Sequence, residues 1–187
     1  TDPPTTFQTS IDQEEGCSSI SDAYGNLLFY TDGMSVWNKN NTVVPHGAYS
    51  PNTNSTFALS GWFSSAQSAQ ILKKPGADSL YYILTAYSYQ PFEISLFDLR
   101  LDWGLGDIDT TFWNVVLTDS VTEKNVAIRN GLDYWVLTHG MGTNDFHAYY
   151  IDENGINTTS VISSIGVTPG IGGGAMVHAD AIGILKP

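Results

Sequence analysis

Aromatic and aliphatic residues gather along the chain in short runs, each of which follows a turn signal and contains a threonine near its end. The three clearest segments are Leu28–Gly33, Tyr82–Tyr87 and Trp135–Gly140, and their threonines, Thr31, Thr85 and Thr138, lie 54 and 53 residues apart. Near-continuous apolar runs of this length are typical of strands that are buried on both faces of a sheet. The pattern therefore predicts one structural unit that occurs three times.

Each run is accompanied by further strand candidates, one before it and two after it. In chain order these are Cys17–Ser21, Ser35–Trp37 and Thr42–Val44, then Ser68–Leu72, Ile94–Phe97 and Asn114–Leu117, then Asn125–Ile128, Phe146–Tyr150 and Ser160–Ile162. Four short strands in a unit of about 50 residues are typical of a propeller blade. We expect an all-β fold, a β-propeller-type stack of four-stranded antiparallel blades. A two-sheet sandwich with coincidentally similar strands is the alternative.

The whole chain, residues 1–187, is predicted to form a single partial β-propeller domain of about three blades and the start of a fourth. Its predicted parts are an N-terminal segment at 1–15, blade 1 at 16–48, an insertion loop at 49–64, blade 2 at 65–118, blade 3 at 119–166, and a Gly-rich connection with the first strand of a fourth blade at 167–187. Closed propellers have about 4–8 blades. We therefore expect the chain to be cut from a longer protein or completed by another copy.

The net charge indicates which classes of binding partner are compatible with the chain, and the cysteine count shows whether it can form a disulfide. The 19 acidic and 7 basic side chains give a net charge of -12, which repels phosphate backbones and anionic lipid headgroups. No apolar run approaches the ~20 residues of a membrane helix. We therefore expect no nucleic acid partner and no membrane insertion, whereas neutral glycans or divalent cations are compatible. The single cysteine, Cys17, excludes an internal disulfide.

Several segments carry a resemblance to a known family. Cys17–Asp22, Gly25–Gly33 and Val36–Asn40 closely resemble the gliding-motility-associated, type IX secretion-linked cell-surface β-propeller (WD-repeat-like) proteins of gliding bacteria. The match continues through Ser68–Gly76 and Asp133–Gly140, and it covers most of residues 14 to 166. The resemblance implies a propeller that is secreted or displayed on the outer cell surface, and it brings no catalytic constellation with it.

Three residues follow the second strand of successive units and are candidates for a ligand site. They are Asp32, Tyr87 and His139. Equivalent blade positions project to the same face of a propeller, so these side chains would converge near its central channel as polar contacts in a concave mouth. The alternative is that Asp32 and His139 only form or cap turns.

Aromatic residues in predicted loops are a second set of candidates. Trp62 and Phe63 lie in the insertion loop, and Trp103 precedes Gly104 in another loop. Exposed aromatic faces stack on sugar rings or anchor protein partners. The alternative is that these rings fill gaps between blades.

No metal site or cofactor is predicted. The four histidines, which are His46, His139, His147 and His178, lack metal-ligand spacing. Asp22–Asn26 and Asp152–Gly155 resemble fragments of calcium loops, but each lacks the full set of ligands. We interpret both as hairpin turns, with weak surface binding of calcium left open by the acidic excess.

Three functions are compatible with these patterns. The leading hypothesis is a non-catalytic module for adhesion, surface display or binding of a cell-surface glycan or protein, since no hydrolase elbow, P-loop or H-E-x-x-H motif occurs. The second is a glycan-active hydrolase or lyase with a funnel site, which would need Asp32, Asp98 and Asp152 to converge. The third is a structural subunit that self-associates through exposed blade faces into a ring or filament.

Overall fold

A computed structural model describes residues 6, 8–48, 59–169 and 182–186. Over these residues the chain forms β-strands, one three-residue 3-10 turn at Asp102–Gly104 and no α-helix, so the all-β prediction is confirmed. The strands are β1 Ser18–Ser21, β2 Leu27–Thr31, β3 Val36–Asn38, β4 Ala69–Lys73, β5 Leu80–Thr85, β6 Phe92–Asp98, β7 Asp107–Ile108, β8 Val115–Thr118, β9 Val121–Asn130, β10 Asp133–Gly140, β11 Asp145–Asp152, β12 Gly155–Ile156 and β13 Val161–Ser164.

The strands form three antiparallel sheets that follow one another in sequence. The first sheet has the order β1-β2-β3, the second has β4-β5-β6 with β7 and β8 both paired to β6, and the third has β9-β10-β11 with β12 and β13 both paired to β11. The first three strands of each sheet pair in sequence order, as hairpin connections require, whereas β8 and β13 pair with the third strand of their sheet after β7 and β12 respectively. The fourth strand of the first unit is reduced to a bridge between Trp37 and Val43.

The second sheet is covered on both faces. One face packs on the first sheet, where Phe29 stacks on Phe97 at 3.9 Å between ring centroids and meets Tyr81 edge-on at 5.5 Å. The opposite face packs on the third sheet in a core formed by Leu72, Tyr82, Leu84, Phe92, Ile94, Val121, Val136, Tyr149 and Ile151. The sheets therefore form three layers, and the two-sheet sandwich is wrong.

The first strands of the three sheets lie next to one another, since β4 is adjacent to both β1 and β9. Over the described residues the sheets do not close into a ring. Residues 182–186, predicted to belong to the first strand of a fourth blade, form no strand. Most of the insertion loop and of the Gly-rich connection lies outside the described residues.

Three aromatic residues at intervals of 53 show how the units repeat. Phe29 faces the second sheet, and Tyr82 faces the third. Trp135 points away from the second sheet, because its neighbour Val136 lies in the core that the second and third sheets share. We call the face of each sheet that carries this residue its forward face. Aligning the first two units on Thr31 and Thr85 instead pairs Phe29 with Ile83. That alignment is off by one residue in the first unit, so it assigns each side chain of this strand to the wrong face of the sheet.

Thr31, Thr85 and Thr138 are all buried and lie at the same end of the three sheets, which we call the threonine end. Two glycines allow close backbone packing here. The Gly61 N–H donates to the Gly33 carbonyl at 2.8 Å, and Gly33 has a φ of 88°, which strains other residues. A β-carbon at Gly33 would overlap the Ser68 side chain. The first sheet can therefore approach the start of β4 only with glycine at this position.

Replacing Gly33 by Ala tests this packing, and Gly25→Ala is the matched control. Gly25 has a φ of 86° but no neighbour within 4 Å of an added β-carbon. We expect Gly25→Ala to lower the free energy of unfolding by about 1–2 kcal/mol through backbone strain alone. Gly33→Ala should cost roughly 1–3 kcal/mol more, because it also overpacks the contact. Urea unfolding of the two variants measures both values, and equal losses would contradict the close approach.

Candidate functional site

The segment that follows the undescribed part of the insertion loop runs across the threonine end. The Leu59 N–H donates to the Met34 carbonyl at 3.1 Å, and the Gly16 N–H donates to the Ser65 carbonyl at 3.0 Å. Together with the bond between Gly61 and Gly33, these contacts fix the segment against the first sheet. They place Trp62 and Phe63 at this end of the molecule.

Trp62, Phe63 and Tyr87 form one group, which we call the aromatic cluster. Trp62 stacks on Tyr87 with 5.4 Å between centroids and 24° between ring planes, and it contacts Phe63 at 5.1 Å. All three rings are half-buried. The Gln13 side-chain amide donates to the carbonyls of Asp32 at 3.1 Å and Trp62 at 3.4 Å. The structure thus brings three of the predicted residues together, beside the backbone of a fourth.

The Asp32 side chain closes a turn. Its Oδ1 accepts hydrogen bonds from the backbone N–H groups of Met34 at 2.7 Å and Ser35 at 2.6 Å. The residue is 4% exposed, and burial raises the pKa of its carboxyl, against the effect of these hydrogen bonds. Asp32 therefore shapes the loop beside the aromatic cluster and does not offer its carboxylate to a ligand.

His139 lies on the forward face of the third sheet. It lines a cavity of about 440 Å³ together with Thr122, Lys124, Phe146, Ile165, Gly166, Val167, Pro169, Ile184 and Leu185. No residue of the aromatic cluster lines this cavity. Its Nδ1 lies 2.8 Å from the Gly140 carbonyl, which makes Nδ1 the protonated nitrogen and Nε2 the acceptor of the neutral ring. The ring also meets Phe146 edge-on at 4.3 Å.

Trp103 lies at the opposite end of the second sheet. Strand β6 starts at the threonine end, where Glu93 pairs with Thr85, and finishes where Asp98 pairs with Leu80. Trp103 follows that far end in the 3-10 turn, and its side chain is fully exposed. The structure therefore does not join Trp103 to the aromatic cluster.

The three carboxylates that a hydrolase would need do not come together. Asp32 lies at the threonine end, whereas Asp98 and Asp152 close the third strands at the opposite end. The Arg100 guanidinium binds Asp98 through three hydrogen bonds of 2.8–3.1 Å and holds the pKa of that carboxyl below its usual value. These residues supply no general acid and base on opposite sides of one substrate.

The two calcium-like segments are turns, as predicted. Asp22 Oδ1 accepts from the N–H groups of Tyr24 at 2.9 Å and Asn26 at 2.8 Å, and Asp152 Oδ1 accepts from that of Asn154 at 2.8 Å. Within the described part of the chain, no three His, Cys, Asp or Glu side chains are placed to hold a metal ion. His178 lies outside the described residues, and weak calcium binding stays a prediction.

Glu123 links the third sheet to the loops around the aromatic cluster, a role that the sequence does not indicate. Its Oε2 accepts from the Ala66 N–H at 2.8 Å, and its Oε1 accepts from the Ser88 hydroxyl at 2.9 Å. The residue is 5% exposed. These partners are 57 and 35 residues away in the chain. A single glutamate in an acidic chain carries no local signal of such a role.

Comparison of the chain with protein families, with curated proteins and with solved structures finds no match. In the part of the chain that the structure describes, there is no helix of the length and apolar character needed to cross a membrane.

Glu93 provides a pH-dependent test of the threonine end. It is 8% exposed, its Oε2 has no hydrogen-bond partner among the described residues, and burial raises the pKa of its carboxyl against a hydrogen bond from Ser60. A raised pKa means that the folded state is most favoured when this group is protonated, and that its contribution falls as pH rises through the folded pKa. Glu93→Gln should therefore stabilise the protein by roughly 1 kcal/mol at neutral pH.

The gain from Glu93→Gln should shrink as pH is lowered toward the ordinary pKa of glutamate, where both side chains are neutral. Urea unfolding at a series of pH values measures it. Glu153→Gln, an exposed substitution on the opposite end, serves as the control and should change little. A gain from Glu93→Gln that stays constant with pH would contradict the burial of a titrating carboxyl.

Proposed function

We propose that this chain is part of a propeller-type stack at the outer cell surface, and that it binds a neutral glycan or a protein without catalysing a reaction. The observation that carries the proposal is the stacked pair of Trp62 and Tyr87 at the threonine end. Stacked, half-buried aromatic rings offer flat apolar surface to sugar rings or to protein side chains. The net charge of -12 disfavours anionic ligands there.

The fixed position of the aromatic cluster supports a binding role. Backbone hydrogen bonds hold the segment that carries Trp62, and Gln13 ties that segment to the Asp32 turn. Ser88, which follows Tyr87, is bound by Glu123 of the third sheet. A surface that is ordered before the ligand arrives loses less conformational entropy on binding.

The propeller-type interpretation rests on the repeat of the forward faces. Phe29 and Tyr82 each face the next sheet in sequence, and both are 53 residues from the next member of the series. The adjacent first strands β1, β4 and β9 are arranged as the inner strands of neighbouring blades would be. Secretion and a role in gliding motility rest on the family resemblance alone.

Replacing Trp62 by Ala tests the binding role. We expect the wild-type protein to bind a subset of neutral glycans on an array, or an outer-surface protein in a pull-down with purified candidates. Trp62→Ala should weaken this binding about tenfold or more, because a buried aromatic anchor contributes roughly 1–3 kcal/mol.

Tyr24→Ala is the matched control for this experiment. Tyr24 is 91% exposed in the Asp22–Asn26 turn, away from the threonine end, so its loss should leave binding unchanged. Equal effects of the two substitutions, or release of shortened glycan products by the wild-type protein, would contradict a non-catalytic site at the aromatic cluster.

A second function, self-association of this chain as a structural subunit, is favoured by the forward face of the third sheet. Trp135 contacts Tyr150 at 4.9 Å there, and Leu137 and Ile128 extend the apolar surface. Trp135, Leu137 and Tyr150 are half-buried, and Ile128 is 36% exposed. The described residues form three sheets, and none of them follows the third sheet on its forward face. The equivalent face of the second sheet is buried against a neighbouring sheet.

Mass measurement over a concentration series tests self-association through this face. We expect the wild-type protein to form dimers or larger assemblies, and Trp135→Glu to shift it to monomers, because a charge in an apolar interface is costly. Leu132→Glu is the control, since Leu132 is 75% exposed in the turn between β9 and β10. A protein that stays monomeric at every concentration would exclude this second function.

A further inference from the structure

The cavity beside His139 lies between the third sheet and the chain segments next to the threonine end of its forward face, and we call it the His139 cavity. Its volume of about 440 Å³ falls within the roughly 300–1,000 Å³ of common ligand pockets. Side chains of β9, β10 and β11 form one wall. The other wall consists of residues that follow β13 and of two residues near the end of the chain, which are Ile165, Gly166, Val167, Pro169, Ile184 and Leu185.

The lining of the His139 cavity is mostly apolar. Thr122, Lys124 and His139 supply its polar groups, and its remaining side chains are hydrophobic. Ile165 is 62% exposed and Val167 is 82% exposed, so a ligand can enter from solvent and cover them. Displacing water from such apolar surface favours binding, and the few polar groups fix the orientation of the ligand.

His139 gives the cavity a hydrogen-bond acceptor that a ligand can reach. The residue is 7% exposed, and its Nδ1–H donates to the Gly140 carbonyl at 2.8 Å, which leaves Nε2 as the acceptor of the neutral ring. Among the described residues Nε2 has no hydrogen-bond partner, and it is not one of the unpaired polar atoms that are sealed from solvent. The edge-on contact with Phe146 at 4.3 Å packs against the ring on one side. A donor in the cavity would satisfy an acceptor that the described chain leaves open.

The charge around the cavity favours a neutral ligand. Lys124 is the only charged side chain among the described residues of the lining, whereas the chain as a whole has a net charge of -12. An excess of negative charge of this size repels anions from the surface. The acceptor at His139 adds the requirement for an N–H or O–H group.

The geometry points to the His139 cavity as a binding site for a small, neutral, largely apolar molecule that carries one hydrogen-bond donor, with His139 Nε2 as the acceptor. A bicyclic aromatic ring with a single N–H group has this chemistry. The site depends neither on the aromatic cluster nor on Trp135 of the open part of the forward face, because none of these residues lines it.

Two matched probes, indole and 1-methylindole, test this assignment on the unmodified protein. Their apolar surfaces are nearly the same, but only indole carries an N–H group, which can donate and cannot accept. Calorimetric titration of the full chain measures the Kd of each. Indole should bind about fivefold to tenfold more tightly than 1-methylindole, which is the gain expected from one hydrogen bond between neutral groups.

His139→Phe removes the acceptor and keeps a flat ring of similar size. It should weaken the binding of indole about fivefold to tenfold and leave that of 1-methylindole unchanged. His147→Phe is the matched control, because His147 pairs with Thr138 in the same ladder, lies on the opposite face of the sheet and does not line the cavity. Leu185→Ala shortens the apolar wall and should weaken both probes by the same factor.

Four results would overturn the proposal. The first is the absence of binding by either probe, which would mean that the cavity takes no ligand of this class. The second is an equal Kd for indole and 1-methylindole, which would leave His139 without a role. The third is an equal effect of His139→Phe and His147→Phe, which would place indole elsewhere on the protein. The fourth is tighter binding of indole-3-acetate than of indole, which would make this an anion site at Lys124.

Discussion

The double burial of the second sheet is the constraint on which the rest of the structure depends. Ile83 and Leu84 are consecutive in β5, point to opposite faces and are both completely buried. Burying a side chain of this size contributes about 1.5–3 kcal/mol, so neither face can be left to water without a large loss of stability. The first and third sheets must therefore pack on either side, and their positions fix the loops that connect them.

Polar contacts at the threonine end follow from this stacking. Glu123 reaches from the third sheet to Ala66 and Ser88, and Gln13 reaches from the N-terminal segment to Asp32 and Trp62. Glu123 joins the third sheet to the connections of the second, and Gln13 joins the N-terminal segment to two separate loops, so both form these hydrogen bonds only when the layers are in place. The packed sheets therefore fix the loops that carry the aromatic cluster, and with them the positions of its rings.

The inner edge of the stack differs in character from the layers between the sheets. Large apolar side chains fill those layers, whereas small or polar residues such as Gly16, Ser18 and Asn125 line the place where the first strands meet. Gly16 has backbone atoms of Ser65 and Ser68 within 2.6 Å of where a β-carbon would lie, so the chains approach closely there. Because the backbones lie so close together at Gly16, the first strands contribute only small or polar side chains to the neighbouring cavity.

The sequence by itself determined the three central strands of each unit, the turns and the threefold repeat, because apolar runs and turn residues act over a few neighbouring positions. It did not determine the short strands β7 and β12 or the reduction of Thr42–Val44 to a bridge. It could not decide which face each side chain occupies, since the side-chain period of two makes a one-residue error at Phe29 exchange the faces. It also could not show that Trp62 stacks on Tyr87, or that Trp103 lies at the opposite end of the second sheet. The contact of Trp62 with Tyr87 and the hydrogen bonds of Glu123 and Asn125 join residues that are 25 to 58 positions apart in the chain. Only tertiary packing brings residues so far apart in sequence into contact.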